Sequence, residues 1–193
     1  QEYDDIARLA AYICGVDRAM VAFLDQDRKW HKARYNIATV EVPRDFSICS
    51  VTILDDQPLV VADTHKEPLV QNIGMVTEAP YVRFYAGVPL IDRDGFAIGT
   101  LCAIDTKPHP GLTEDQVDNL VALGRQIIQL LELRYQLMQT KANESRLRDL
   151  SLTDDLTGLY NRRALVDAFK AEVFRVQRNG SVFSMLVIDI DRF

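Results

Sequence analysis

Apolar residues recur at helical spacing near the start of the chain, where Ile6, Leu9, Ala10 and Ile13 form one stripe. The pattern then shifts to short strand-like runs. Ala19 to Leu24 and Trp30 to Tyr35 flank Asp25-Gln26-Asp27, so a hairpin is predicted there, although the second run alternates less cleanly. Pro58 to Ala62 predicts a further strand, halted by Asp63-Thr64. The clearest pair is Val82 to Ile91 and Phe96 to Ile104, joined by Asp92-Arg93-Asp94-Gly95, which reads as an antiparallel hairpin. Alternation places Val82, Phe84, Ala86, Val88 and Leu90 on one face and Arg83, Tyr85 and Gly87 on the other. The first face is core; the second meets either a ligand or solvent.

Thr113-Glu-Asp-Gln116 has the form of a capping box and opens a long helix. Such a cap contributes about 1 kcal/mol and each buried aliphatic about 1.5–3 kcal/mol, so packing decides how far the helix runs. One apolar stripe passes from Val117 through Val121, Gly124, Ile128, Leu131, Tyr135 and Met138 to Ala142; a second passes through Leu120, Leu123, Ile127, Leu130 and Leu137. A helix apolar on two sides has two faces to bury, so one is expected against the sheet and the other against the same helix of a second copy. Thr140 to Arg146 is polar, the stripe fails at Ser145 and Asp149, and Leu147, Leu150 and Leu152 resume in shifted phase. That is the form of a linker between domains, and equally of a frayed surface helix. Further on, Asn161 caps a helix running to about Arg178, with Phe169, Val173 and Val176 on one side and Asn179-Gly180 as its stop. Val182 to Ile190 is nearly all apolar and predicts a strand buried on both faces. A domain needs on the order of 100 residues for a core, so this last segment reads as truncated.

With 193 residues, 48% hydrophobic and 26% charged, the chain can bury a real core and corresponds to one or two domains. No apolar run exceeds six residues, the length of Ala19 to Leu24, whereas a membrane span needs about 18 or more. The opening Gln-Glu-Tyr-Asp-Asp lacks the basic and apolar regions of a secretory signal, so a cytoplasmic protein is expected, and without an initiator Met the chain reads as a piece of a longer one. Cys14, Cys49 and Cys102 show neither close pairing nor metal-type spacing and are expected to be reduced thiols. The net charge is −6, distributed as −7 over residues 1–140 and +1 over residues 141–193. The acidic larger part repels polyphosphate backbones, which argues against nucleic acid as a partner, and the shift in charge marks a domain boundary near residue 140.

Four phrases taken together resemble a bacterial GAF domain: Val42-Pro-Arg-Asp-Phe-Ser-Ile-Cys49, Pro58-Leu-Val-Val-Ala-Asp-Thr64, Val82-Arg-Phe-Tyr-Ala-Gly-Val-Pro-Leu90 and Ile98-Gly-Thr-Leu-Cys-Ala-Ile-Asp105. The resemblance implies an α+β fold, with an antiparallel sheet carrying helices on one face and a small-molecule pocket on the other, followed by a long C-terminal signalling helix. The phrase between Pro68 and Pro80 departs from the form associated with this group, having Asn72-Ile-Gly-Met75 in place of a Pro-containing turn. Asp155-Leu-Thr-Gly-Leu-Tyr-Asn-Arg-Arg163, followed by Val187-Ile-Asp-Ile-Asp191, is similar to the opening of the α/β GGDEF domain of diguanylate cyclases. The expected organisation is a GAF domain over 1–136, a helical linker over 137–152, and a truncated GGDEF segment over 153–193. For the parent protein the resemblance implies condensation of two GTP molecules to cyclic di-GMP with Mg²⁺, one loaded domain coming from each half of a homodimer.

These likenesses and the residues together suggest sites. Arg83 offers a guanidinium fork for an anion, Tyr85 a stacking face with a hydroxyl, and Asp63 a strand-end acceptor, while Cys49 and Cys102 are expected pocket liners able to approach one another across a sheet. Asp189 and Asp191 lie on one side of the apolar strand, where carboxylates are costly unless a cation sits against them. The family resemblance places metal on Asp189, on the carbonyl of Ile190 and less directly on Asp191. His31, beside Trp30, reads as an exposed strand histidine. The favoured function is a sensory module that binds a small-molecule effector and controls a diguanylate cyclase domain through a dimerising helix that starts near Thr113, this chain being inactive on its own. A ligand-free dimerisation scaffold is the alternative, and a methionine sulfoxide reductase working through Cys49 and Cys102 a third reading.

Overall fold

A computed structural model describes residues 2–150, 152–154 and 156–188, the side chains of 148–150 excepted. Two compact units divide the chain between Arg134 and Tyr135.

In the first unit, helix α1 (Glu2–Cys14) leads into strands β1 (Arg18–Leu24), β2 (Arg28–Tyr35) and β3 (Glu41–Pro43). A four-residue helix α2 (Cys49–Thr52), strand β4 (Leu59–Val61) and a four-residue helix α3 (Gly74–Thr77) precede the hairpin of β5 (Phe84–Ile91) and β6 (Ala97–Asp105). Helix α4 begins at Glu114. The six strands form one antiparallel sheet in the order β3-β2-β1-β6-β5-β4, so the first and last hairpins meet at β1 and β6.

Each face of this sheet carries its own core. On one side, α1 and α4 pack through Ala7, Ala10, Leu120 and Ile127 onto Val21, Phe84, Val88 and Leu101. On the other, the connections between β3 and β5 fold back, bringing Ile48, Cys49, Val70 and Val76 against Met20, Tyr85 and Cys102. The predicted alternation of β5 holds from Phe84 to Leu90 and fails at Val82, which lies before the strand and packs into the second core. Leu9 also departs from expectation, 48% exposed; α1 instead buries Tyr3, Ile6, Ala7, Ala10, Ala11 and Cys14. Small residues at three of those positions let the helix sit close to the sheet.

The capping box closes as its sequence implies. Gln116 N donates to Thr113 Oγ1 at 3.3 Å, and Thr113 N donates to Gln116 Oε1 at 2.9 Å. Gln116 Nε2 also donates to the Ile13 carbonyl at 2.7 Å, fastening the start of α4 to the end of α1. Helix α4 continues without interruption to Leu150, so the polar stretch after Thr140 is helical.

In the second unit, α5 (Arg162–Asn179) is capped by Asn161 Oδ1, which accepts from Arg163 N and Ala164 N at 3.0 and 3.1 Å, and it ends at Gly180 in the left-handed conformation. The predicted strand after it is not formed over residues 181–188, and Val182 is 94% exposed. A buried strand needs neighbours on both edges for its N–H and C=O groups, and no strand among the described residues pairs with this run.

Candidate functional site

Strand β2 explains both the irregular alternation in its sequence and the placement of a site. Ala22 pairs with His31 but Val21 pairs with Ala33, so Lys32 is an extra residue in the ladder and the strand bulges there. Beyond the bulge, Ala33 and Tyr35 face the helices. Before it, Trp30 faces the same way, 5.1 Å from the Phe23 ring, and Lys29 and His31 turn to the opposite side. Nothing in the residue pattern signals a buried lysine here, yet Lys29 is 2% exposed.

Lys29 and His31 form part of the wall of a cavity of about 420 Å³ on the face away from the helices. Its floor is Met20 and Ile104 of the sheet; Phe46, Ser47 and Met75 close one side, and Asn36 to Thr39 the other. Asn36 adopts φ 54°, a conformation asparagine accepts more readily than most residues, and its side-chain amide donates to the Asp17 carbonyl at 2.8 Å. Gly74 lets Phe46 settle, since a Cβ there would fall 2.3 Å from the phenyl ring. The Asn72 to Met75 phrase therefore supplies a wall: Met75 borders the cavity, and its sulfur accepts from Ile48 N at 3.1 Å.

Behind Lys29 lies a buried sulfur and hydroxyl cluster. Lys29 Nζ is 3.6 Å from Met20 Sδ and 3.8 Å from Cys49 Sγ, and Cys49 Sγ is 3.6 Å from Cys102 Sγ. Tyr85 Oη lies 3.5 Å from Cys49 Sγ and 2.7 Å from Thr52 Oγ1. Gly87 makes room for that ring, because a Cβ at this position would fall 2.3 Å from Tyr85 Oη. Hydrogen bonding from the Cys102 thiol, helped by the charge of Lys29, outweighs burial and holds the Cys49 thiol well below its ordinary pKa. Cys102 is pushed up by the same contact and by burial. All three cysteines are free, and burial raises Cys14 to about 12.

The five residues expected to line the pocket divide into two groups. Cys49, Tyr85 and Cys102 come together as this buried cluster, one layer behind the cavity wall. Asp63 and Arg83 instead satisfy each other: Arg83 Nε and Nη2 donate to the two carboxylate oxygens of Asp63, both at 3.0 Å, and Asp63 also accepts from His65 N. Burial pushes the Asp63 carboxyl up, but the Arg83 fork and the His65 amide overcome it and hold it below the usual range. This bidentate pair occupies the guanidinium face that an anion would need. His31 is the second departure. It is half-buried in the cavity wall rather than exposed, its Nδ1 is 2.8 Å from the Thr39 carbonyl, and burial lowers its pKa. The expected metal ligands Asp189, Ile190 and Asp191 lie outside the described residues. Among the described residues no group of three or more metal-ligating side chains converges, and no helix is long and apolar enough to cross a membrane.

Comparison with known proteins agrees with this architecture. The GAF domain family matches residues 1–131, and the family described as "Diguanylate cyclase, GGDEF domain" matches residues 151–193. A cyclic di-GMP phosphodiesterase of Pseudomonas aeruginosa is 30% identical over 180 residues, which is 93% of this chain but only 28% of that protein. The chain thus spans about a quarter of the curated relative it matches. Among solved structures, the GAF domain of an Acinetobacter phosphoenolpyruvate-protein phosphotransferase superposes with TM-score 0.56 at 15% identity, covering 71% of this chain and 84% of that one. A free methionine-R-sulfoxide reductase of Neisseria meningitidis superposes with TM-score 0.56 at 19% identity, covering 70% and 78%. At such identities these two structures carry the fold and nothing more. By its sequence and its six-stranded sheet, this chain belongs to the GAF domain family, its GAF domain being followed by a partial GGDEF domain.

Proposed function

We propose that the GAF domain is an effector-binding module, and that occupancy of its 420 Å³ cavity controls the cyclic di-GMP chemistry of the parent protein through α4. The observation that carries the reading is the cavity itself, which is mostly apolar and bounded by a small number of buried polar groups, as small-molecule sites are. The partial GGDEF match in the same chain supports cyclic di-GMP as the output nucleotide, with GTP and Mg²⁺ required in the parent if it runs towards synthesis. The relative's name supports the same nucleotide and the opposite direction, hydrolysis. Assay of the full-length protein for both reactions, with and without residues 1–113, tests the proposal. A change of turnover on removing the module supports control; identical rates overturn it.

Helix α4 supports a homodimer as the means of control. Its apolar positions beyond the sheet, Leu133, Tyr135, Leu137 and Met138, are more than half exposed, and Val121, Gly124 and Ile128 of the first stripe border an open groove beside Val88 and Pro89. A second copy of α4 would cover both, and ligand binding in one sheet could then alter the pose of two output domains.

A further inference from the structure

Two polar groups in the cavity wall have unmet demands, and they are of opposite kinds. Lys29 brings an ammonium into an apolar setting, with no carboxylate among the described residues in ion-pair distance and only two sulfur atoms in reach. An ammonium carries three strong donors, sulfur is a weak acceptor, and a buried charge is costly unless matched at close range. Met20 Sδ and Cys49 Sγ, at 3.6 and 3.8 Å, take two of its three donors, and neither is an oxygen acceptor. His31 has the reverse need. Its Nδ1 donates to the Thr39 carbonyl at 2.8 Å, which fixes the tautomer and leaves a lone pair on Nε2, and that atom is buried without a hydrogen-bond partner. The two residues are two apart on β2 ahead of the bulge, so both belong to the same wall.

We propose that the effector is a small organic monocarboxylate: its carboxylate pairs with Lys29, a hydroxyl or amide N–H of the same molecule donates to His31 Nε2, and its apolar body fills the space over Met20 and Ile104. This assignment rests on the effector-binding reading above and gives that effector a chemical class. A neutral molecule would leave Lys29 with its sulfur contacts alone, and a cation would be repelled by Lys29 and by Arg18 in the same wall. A multiply charged phosphate would have to shed its hydration against a wall that is mostly apolar. The carboxylate forms charge-assisted bonds at about 2.7–2.9 Å, far closer than the sulfur contacts Lys29 has now.

Isothermal titration and thermal unfolding of the 193-residue chain with paired probes test this. The pairs are benzoate with benzamide, 3-hydroxybenzoate and 4-hydroxybenzoate with their amides, and hexanoate with hexanamide. The acids are expected to bind at least tenfold more tightly than their amides, with a hydroxybenzoate ahead of benzoate. Lys29→Met and Lys29→Gln are expected to remove the preference for acids by roughly tenfold to a hundredfold. Both variants are used because either neutral side chain should leave the fold intact, which the unfolding curve without probe verifies. Equal binding of acids and amides, undiminished acid binding in both variants, or no binding by any member of the set overturns the assignment. An acid that binds through Lys29 yet leaves turnover by the full-length protein unchanged overturns the regulatory reading alone; a neutral molecule that binds the cavity and regulates turnover overturns this one alone.

Discussion

At the scale of single residues, the second core is held by contacts that tolerate little change, and glycine has a defined part in it. Gly87→Ala would drive a methyl into Tyr85 Oη, so the ring must move and its contacts with Thr52 and Cys49 are lost. Overpacking of this kind costs about 1–3 kcal/mol, and urea unfolding of Gly87→Ala should show it as a lower midpoint at unchanged slope. Gly87→Ala combined with Tyr85→Phe should recover only a small part of that loss, since the hydroxyl oxygen is the nearest clash at 2.3 Å but the ring carbons Cζ and Cε1 would still lie at 2.7 and 2.8 Å. The Asp63 and Arg83 pair makes a separate prediction about pH. Its carboxyl is lowered in the folded protein, so the unfolded chain binds the proton more readily. The contribution to stability is therefore complete above the unfolded pKa of about 3.9 and is lost as pH falls through the lower folded value. Asp63→Asn should be less stable than the parent sequence at pH 6, and the two should converge as pH is lowered towards 3. Asp105 is lowered as well, burial being outweighed by His109 and the backbone amides of Lys107 and Thr106, so the variant should keep a shallower acid dependence of its own. Parallel curves would refute the assignment.

Elements were legible in the sequence wherever one physical rule acted alone. The β5–β6 hairpin, the capping box at Thr113 and the Asn161 cap all arise from local chemistry, and each stands where the pattern put it. Strand β2 was harder because a bulge breaks the period of two at Lys32, and with it went the sign that Lys29 and His31 share the cavity face. Arg83 misled for a different reason: a guanidinium on the ligand-side face looks available until Asp63, twenty residues earlier, is placed against it. The run after Val182 has the composition of a buried strand, but composition does not supply the neighbouring strands that would bury it. The cap of α4 permits a quantitative check at this scale. Thr113→Ala removes the acceptor for Gln116 N, and should lower stability by about 1 kcal/mol without altering the cavity. Farther along, Leu137→Glu with Met138→Glu places charge where a second copy is proposed to sit, and sedimentation should show a dimer becoming a monomer with its unfolding midpoint for the GAF domain preserved. A parent sequence that sediments as a monomer at all concentrations would remove the dimer from the proposal.

For the molecule as a whole, α4 is the one described element that begins on the GAF sheet and extends into the segment leading to the GGDEF match. A helix can join two domains as a tether, which transmits little, or as a rod, whose rotation fixes the pose of the downstream domain. The two differ in their response to helical phase. Inserting four residues after Thr140 advances the downstream chain by about 400°, a net turn of roughly 40°, whereas seven residues give about 700°, within roughly 20° of the starting phase. Translation works the other way, since the longer insertion moves the downstream segment farther along the axis. In the full-length protein, a rod predicts that turnover of cyclic di-GMP departs from the parent rate with four added residues and returns towards it with seven. A tether predicts equal effects, or an effect that grows with length. The cavity lies on the face of the sheet away from α4, so its affinity for a carboxylate probe should be the same in both insertions. Rates that track phase while affinity stays constant would place the control in the helix, downstream of the site and separable from it.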